Sequence, residues 1–93
     1  MEEKVRAHVV IHGRVQGVFF RMETRKTALR HEVDGWVRNN PDGTVEAVFE
    51  GDKPRVEAVL SWCGHGPPHA RVDELKLEWE PYTGKYSTFD IRY

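Results

Sequence analysis

From Val5 to Ile11 apolar and polar positions alternate, with Val5, Ala7, Val9 and Ile11 on one side and Arg6, His8, Val10 and His12 on the other. A period of two predicts a half-buried strand ending at Gly13. Residues 14–20 (RVQGVFF) hold a glycine in mid-run and read as a loop turning into a helix. From Phe20 the step lengthens to four, four and three through Thr24, Ala28 and His31, which predicts an amphipathic helix to about His31 or Glu32. Asp34-Gly35 breaks that period, and Trp36-Val37-Arg38-Asn39 is expected to be extended. Asn40-Pro41-Asp42-Gly43 is a turn, because proline presets φ and glycine accepts positive φ. Thr44 to Glu50 alternates through Val45, Ala47 and Phe49, so these two runs form a hairpin. Asp52 is the expected N-cap of a second helix, with Pro54 in its first turn and Val56, Val59, Leu60 and Cys63 on its buried stripe. Gly64, Gly66 and Pro67-Pro68 stop it. Leu75, Leu77 and Trp79 then alternate with Lys76, Glu78 and Glu80, which assigns Trp79 to the core, and a last short strand carries Phe89, Ile91 and Tyr93.

The order β-α-β-β-α-β plus a C-terminal strand predicts an α+β fold, a ferredoxin-like split β-α-β sandwich. Both helices should cover one face of a mostly antiparallel sheet. At 93 residues the chain is expected to be a single domain spanning 1–93. Three Trp, four Phe and three Tyr supply enough apolar area for a core without metal or disulfide staples. One cysteine, Cys63, excludes an internal disulfide framework and fits a reducing compartment. The start MEEKVRAH has no apolar signal region, and no apolar run reaches the ~18 residues of a transmembrane helix, so a cytoplasmic protein without membrane contact is expected. Fourteen Lys+Arg against 15 Asp+Glu give a net charge of −1, which argues against a polyanion binder working by bulk charge. A small anion site built from a few focused groups remains open.

The segment Gly13-Arg14-Val15-Gln16-Gly17-Val18-Phe19-Phe20-Arg21 joins the first strand to the first helix. A curled loop here would aim the backbone N–H groups of Val15, Gln16, Gly17, Val18, Phe19 and Phe20 at one point, and the helix N-terminus adds unpaired donors and a positive dipole end. Such a nest binds phosphate-like anions without side-chain charge. Gly17 is expected to let the backbone curl and Gly13 to let it approach a ligand closely. Arg21 stands where its guanidinium can clamp the same anion with two parallel hydrogen bonds, or else is a solvated surface charge. Asn39, at a strand end, is either a turn former or a neutral amide that holds a water by one donor and one acceptor.

The run G-R-V-Q-G-V-F-F-R, followed by G-W-V-R-N-N-P-D-G-T-V-E, closely resembles the two signature motifs of the acylphosphatase family. The G-P-P-H-A stretch after the second helix and the closing F-D-I-R-Y resemble it too, so the likeness runs from about Val5 to Tyr93. It implies a small hydrolase with no metal and no cofactor, which splits the carboxyl–phosphate bond of acyl phosphates to a carboxylate and inorganic phosphate. It further implies that Arg21 and the loop backbone bind the phosphoryl group and that Asn39 orients the attacking water. The chemistry is consistent: a carboxylate is already a good leaving group, so the reaction needs charge stabilisation at the phosphoryl oxygens and an aligned water. The expected mechanism is in-line attack at phosphorus with no covalent intermediate, a phosphoryl oxygen of the substrate taking the water's proton. Inorganic phosphate should act as product and competitive inhibitor, and the enzyme is expected to be a monomer. One departure is His31-Glu32 at the end of the first helix, where many members carry an apolar residue and Gly. A left-handed Glu32 costs on the order of 1 kcal/mol.

Other readings compete with this one. His12, just before the loop, suggests a phosphohistidine nucleophile, but its alternation makes it a surface-strand histidine with no orienting carboxylate identified. Cys63-x-His65-x-x-x-His69 is a partial zinc pattern short of the usual four ligands. Trp36 is expected to be partly exposed beside the site, and Trp62 to pack at a helix edge. An RRM-like single-stranded RNA binder shares the topology, yet it needs aromatics on the open sheet face, where Glu46, Val48 and Glu50 are expected instead. A non-catalytic phosphate- or anion-binding module would keep the loop and Arg21 and turn nothing over.

Overall fold

The computed structural model describes residues 3–93, so the first two residues of the charged start lie outside the described residues. The elements follow as β1 (Lys4–Arg14), α1 (Phe20–Arg30), β2 (Asp34–Asn39), β3 (Val45–Asp52), α2 (Lys53–Cys63), β4 (Arg71–Glu80) and β5 (Phe89–Arg92). The five strands form one sheet in the order β4-β1-β3-β2-β5. Neighbours are antiparallel except β2 and β5, which run parallel with Val37 opposite Ile91. This is the ferredoxin-like α+β sandwich, with α1 packed on β2 and β5 and α2 on β1 and β3.

The strand period decides which face meets the helices. Ala7, Val9 and Ile11 of β1 and Val45, Ala47 and Phe49 of β3 are fully buried on that face. Phe49 stacks on Phe89 of β5 at 5.5 Å between centroids. Each such Val, Ile or Phe side chain removed from water contributes roughly 1.5–3 kcal/mol. Helix α2 buries Val56, Val59 and Cys63, as its spacing predicts. Helix α1 buries Phe20 and Ala28 with two threonines, Thr24 and Thr27. Their hydroxyls donate to the carbonyls of Phe20 (2.7 Å) and Glu23 (2.8 Å), so they enter the core already satisfied.

Three expectations are corrected. Trp79 and Leu77 lie opposite Ala7 and Val9 on the helix-covered face, but they are 48% and 39% exposed. β4 is an edge strand beyond the reach of α2, so a correct period does not bring burial. Asp52 is the N-cap residue of α2, as expected, with its carboxylate paired to Lys4 and Arg55 in place of a side-chain cap. Glu50 and Val48, expected on an open sheet face, are 1% exposed, and the segment 81–88 crosses over Glu50. The Glu50 carboxylate accepts hydrogen bonds from Thr83 N (3.0 Å), Thr83 Oγ1 (2.7 Å), Gly84 N (3.0 Å) and an Arg6 guanidinium nitrogen (3.1 Å). Burial raises its pKa, yet these bonds outweigh burial and hold Glu50 below the ordinary carboxylate range. Tyr86 in the same strap takes hydrogen bonds from Arg6 and from Trp36 Nε1 (3.2 Å). Trp36 is therefore buried rather than partly exposed, with the guanidiniums of Arg38 and Arg92 5.1 and 4.7 Å from its ring centroid.

Helix α1 ends one residue short of the predicted range, in a Schellman motif. Val33 N donates to Ala28 O (2.9 Å) and Glu32 N to Leu29 O (3.1 Å). The motif requires a left-handed residue at Glu32, which has φ 56°. Its carboxylate pairs with Arg55, an exposed contact of small value. Glu32→Gly is expected to raise unfolding free energy by a net ~0.5 kcal/mol, the relief of about 1 kcal/mol of backbone strain less the lost ion pair. Urea unfolding of both proteins checks this, and a loss of stability refutes it.

Candidate active site

The loop between β1 and α1 takes its shape from alternating anchors. Val15, Val18 and Phe20 are buried in the core, while Gly17 and Phe19 are exposed. Gly17 (φ 75°) and Phe19 (φ 64°) are left-handed, and Val18 between them is not. A chain whose residues alternate in hand in this way turns successive N–H groups toward one concave point. The N–H groups of Gln16 to Phe20 donate to no protein acceptor among the described residues. Phe19 is also the N-cap of α1 and provides no side-chain cap, so the first turn of the helix keeps its donors free.

Gly13 plays a different part from the one expected. It sits in β1 opposite Val72, at a register shift in the pairing with β4, with φ 134°. A Cβ there would stand 2.1 Å from the carbonyl oxygen of Arg71. The missing side chain makes room for β4 rather than for a ligand, and β1 continues to Arg14.

The loop backs a cleft of about 290 Å³ lined by Val15, Gly17, Phe19, Phe20, Arg21, Met22, Asn39, Ile91 and Tyr93. The two candidate side chains, from α1 and from the end of β2, thus share one cavity with the candidate loop. Arg21 is the only lining residue with a charged side chain. It makes no ion pair among the described residues, and its guanidinium lies 5.2 Å from the centroid of the Tyr93 ring. Asn39 Oδ1 is buried with no hydrogen-bond partner, alone in this among the buried side-chain polar atoms of the described residues. A purely structural turn former satisfies its amide locally, and this acceptor is not so used.

The neighbouring turn is tightly self-bonded. Asn40 Nδ2 donates to Thr44 Oγ1 (3.0 Å), while Thr44 N and Oγ1 donate to Asp42 Oδ1 (3.0 and 2.7 Å). These bonds hold Asp42 below its ordinary carboxylate range. The link sequence reasoning missed is the Gln16 side chain. Its Nε2 donates to the carbonyls of both Asn40 (2.8 Å) and Thr44 (2.9 Å), tying the amide loop to the turn beside Asn39. No local spacing reveals it, because the partners lie 24 and 28 residues on. The αL backbone of Phe19 was equally invisible, since a bulky aromatic gives no turn signal.

Other candidates lie elsewhere. His12 is half-buried on β1 and does not line the cleft. Cys63 is buried, which pushes its thiol pKa up, while His65 Nδ1 bonds the Ser61 carbonyl. Trp62 packs against Phe20 at 5.5 Å between centroids, behind the loop. No helix among the described residues is long and apolar enough to cross a membrane.

Comparison with known proteins places this geometry in context. The family profile described as Acylphosphatase matches residues 7–91. A relative from Pelotomaculum thermopropionicum named acylphosphatase is 54% identical over 90 residues, covering 97% of this chain and 98% of its own. The solved structure of an acylphosphatase from Coxiella burnetii superposes with a TM-score of 0.91 at 37% identity, covering 96% of this chain and 93% of that one. That from Bacillus subtilis gives 0.92 at 28% identity, covering 96% and 99%.

Proposed function

The chain belongs to the acylphosphatase family, enzymes that hydrolyse the carboxyl–phosphate bond of acyl phosphates, and on that premise we propose how its residues divide the reaction. The convergent amides of residues 15–20 and the Arg21 guanidinium hold the three phosphoryl oxygens. Asn39 fixes a water for in-line attack at phosphorus, opposite the departing carboxylate. The observation that carries this reading is the buried, unpartnered Asn39 Oδ1 in the same cleft as the single cation. An acceptor oriented there takes one proton of a water and leaves its lone pair facing the phosphorus.

No side chain lining the cleft is a carboxylate, imidazole or thiol. The lining side chains therefore offer no general base and no set of metal ligands, which favours a metal-independent route in which a phosphoryl oxygen of the substrate accepts the water's proton. Every proposed group comes from one chain, which favours a monomeric, single-domain enzyme. A lone, buried cysteine fits a reducing, cytoplasmic setting. Inorganic phosphate shares the phosphoryl oxygens of the substrate and is its competitive inhibitor on this reading. The test is benzoyl phosphate hydrolysis with excess EDTA. Phosphate release should continue undiminished, with inhibition by added phosphate relieved by more substrate. Loss of activity in chelator, or non-competitive inhibition, refutes the scheme, and absence of any turnover leaves the anion-binding reading in its place.

A further inference from the structure

Phe19 departs from two local rules at once. Its backbone is left-handed, which costs a bulky residue on the order of 1 kcal/mol where glycine or asparagine sits at ease. Its side chain is also among the most exposed large apolar groups of the protein, at 69%. Met22, three residues on and thus on the same side of the first helical turn, is 47% exposed. Both line the cleft, and Ile91 and Tyr93 line it with them. Strain and exposure combined at a site need a cause at that site.

An acyl phosphate has two ends. If the amides and Arg21 hold the phosphoryl end, as proposed above, the acyl end must lie along the remaining lining. That lining offers apolar carbon and no second charged side chain, since Arg21 is the only one and is engaged with phosphate. A charged acyl group would lose water there and find no partner, whereas an apolar one covers Phe19 and Met22 as it enters. We propose that Phe19, with Met22 beside it, is a specificity-determining ledge for the acyl group, and that the enzyme favours acyl phosphates with apolar, above all aromatic, acyl groups. This rests on the phosphoryl assignment and adds the class of substrate.

The experiment compares kcat/KM for benzoyl phosphate and acetyl phosphate. Phe19→Asn and Phe19→Gly both accept the left-handed backbone while deleting the ring, so the loop keeps its shape. Their benzoyl-to-acetyl ratio is expected to fall roughly tenfold, the scale of one lost aromatic contact. Phe19→Tyr, which keeps the ring, should hold most of it. The ratio is the readout because a distorted loop lowers both rates together. A ratio equal to the wild-type value in Phe19→Asn and Phe19→Gly overturns the ledge. Inhibition by inorganic phosphate is measured in parallel on Arg21→Ala. If Arg21→Ala loses that inhibition while the ratio stays put in the Phe19 variants, the ledge alone fails. If Arg21→Ala keeps it, the phosphoryl assignment fails and takes the ledge with it.

Discussion

Arg21→Ala should lower kcat/KM for benzoyl phosphate by at least ~10² to 10³-fold, as removal of a principal charge-stabilising donor does, and abolish inhibition by inorganic phosphate. The size follows from the surroundings. Arg21 is the single charged side chain in the cleft, and it forms no ion pair among the described residues. Its position over the Tyr93 ring leaves the planar fork ordered but not consumed. The loop amides alone carry partial charges, so the dianion loses its one full counter-charge. Arg21→Lys should fail nearly as badly, because an ammonium is a point charge and cannot bridge two phosphoryl oxygens in parallel. Steady-state kinetics with phosphate titration check both variants. A lysine variant of near-normal rate would show that bare charge suffices and that the two-pronged contact is wrong.

Asn39→Ala should also lose turnover, by ~10²-fold or more, because a misplaced nucleophile forfeits most of the benefit of orientation. Its signature is the opposite in binding. The amide loop and Arg21 remain, so the inhibition constant for phosphate should stay within a factor of two or three, a loss confined to the chemical step. Removing the side chain also deletes an acceptor that the protein leaves unpaired, so folding stability should change little. The pair of variants therefore separates holding from reacting. Normal activity in Asn39→Ala refutes the water-positioning role.

The elements were legible because their periods are clean. Val5 to Ile11 and Val45 to Phe49 alternate along the central strands β1 and β3, and α2 packs on both of those strands. Where layers do not overlap, the same alternation misleads, and Trp79 on the edge strand is the instance. The strap over Glu50 was illegible for another reason. Pro81 to Thr88 has no period, and its order comes from a carboxylate more than thirty positions earlier in the chain. At the candidate site, the loop, Arg21 and Asn39 were singled out from the sequence, and the structure brings them to one cleft. What residue types withheld was long-range or conformational: the reach of Gln16, the hand of Phe19 and the packing reason for Gly13.

The two carbonyls gripped by Gln16 stand at either end of the five-residue turn Asn40–Thr44. One amide thus rivets the phosphate cradle to the hinge point of the hairpin that bears Asn39. The two bonds fix the position of the loop relative to the turn that follows Asn39. An insertion in that turn, however harmless to a hairpin elsewhere, would here be transmitted to the cradle.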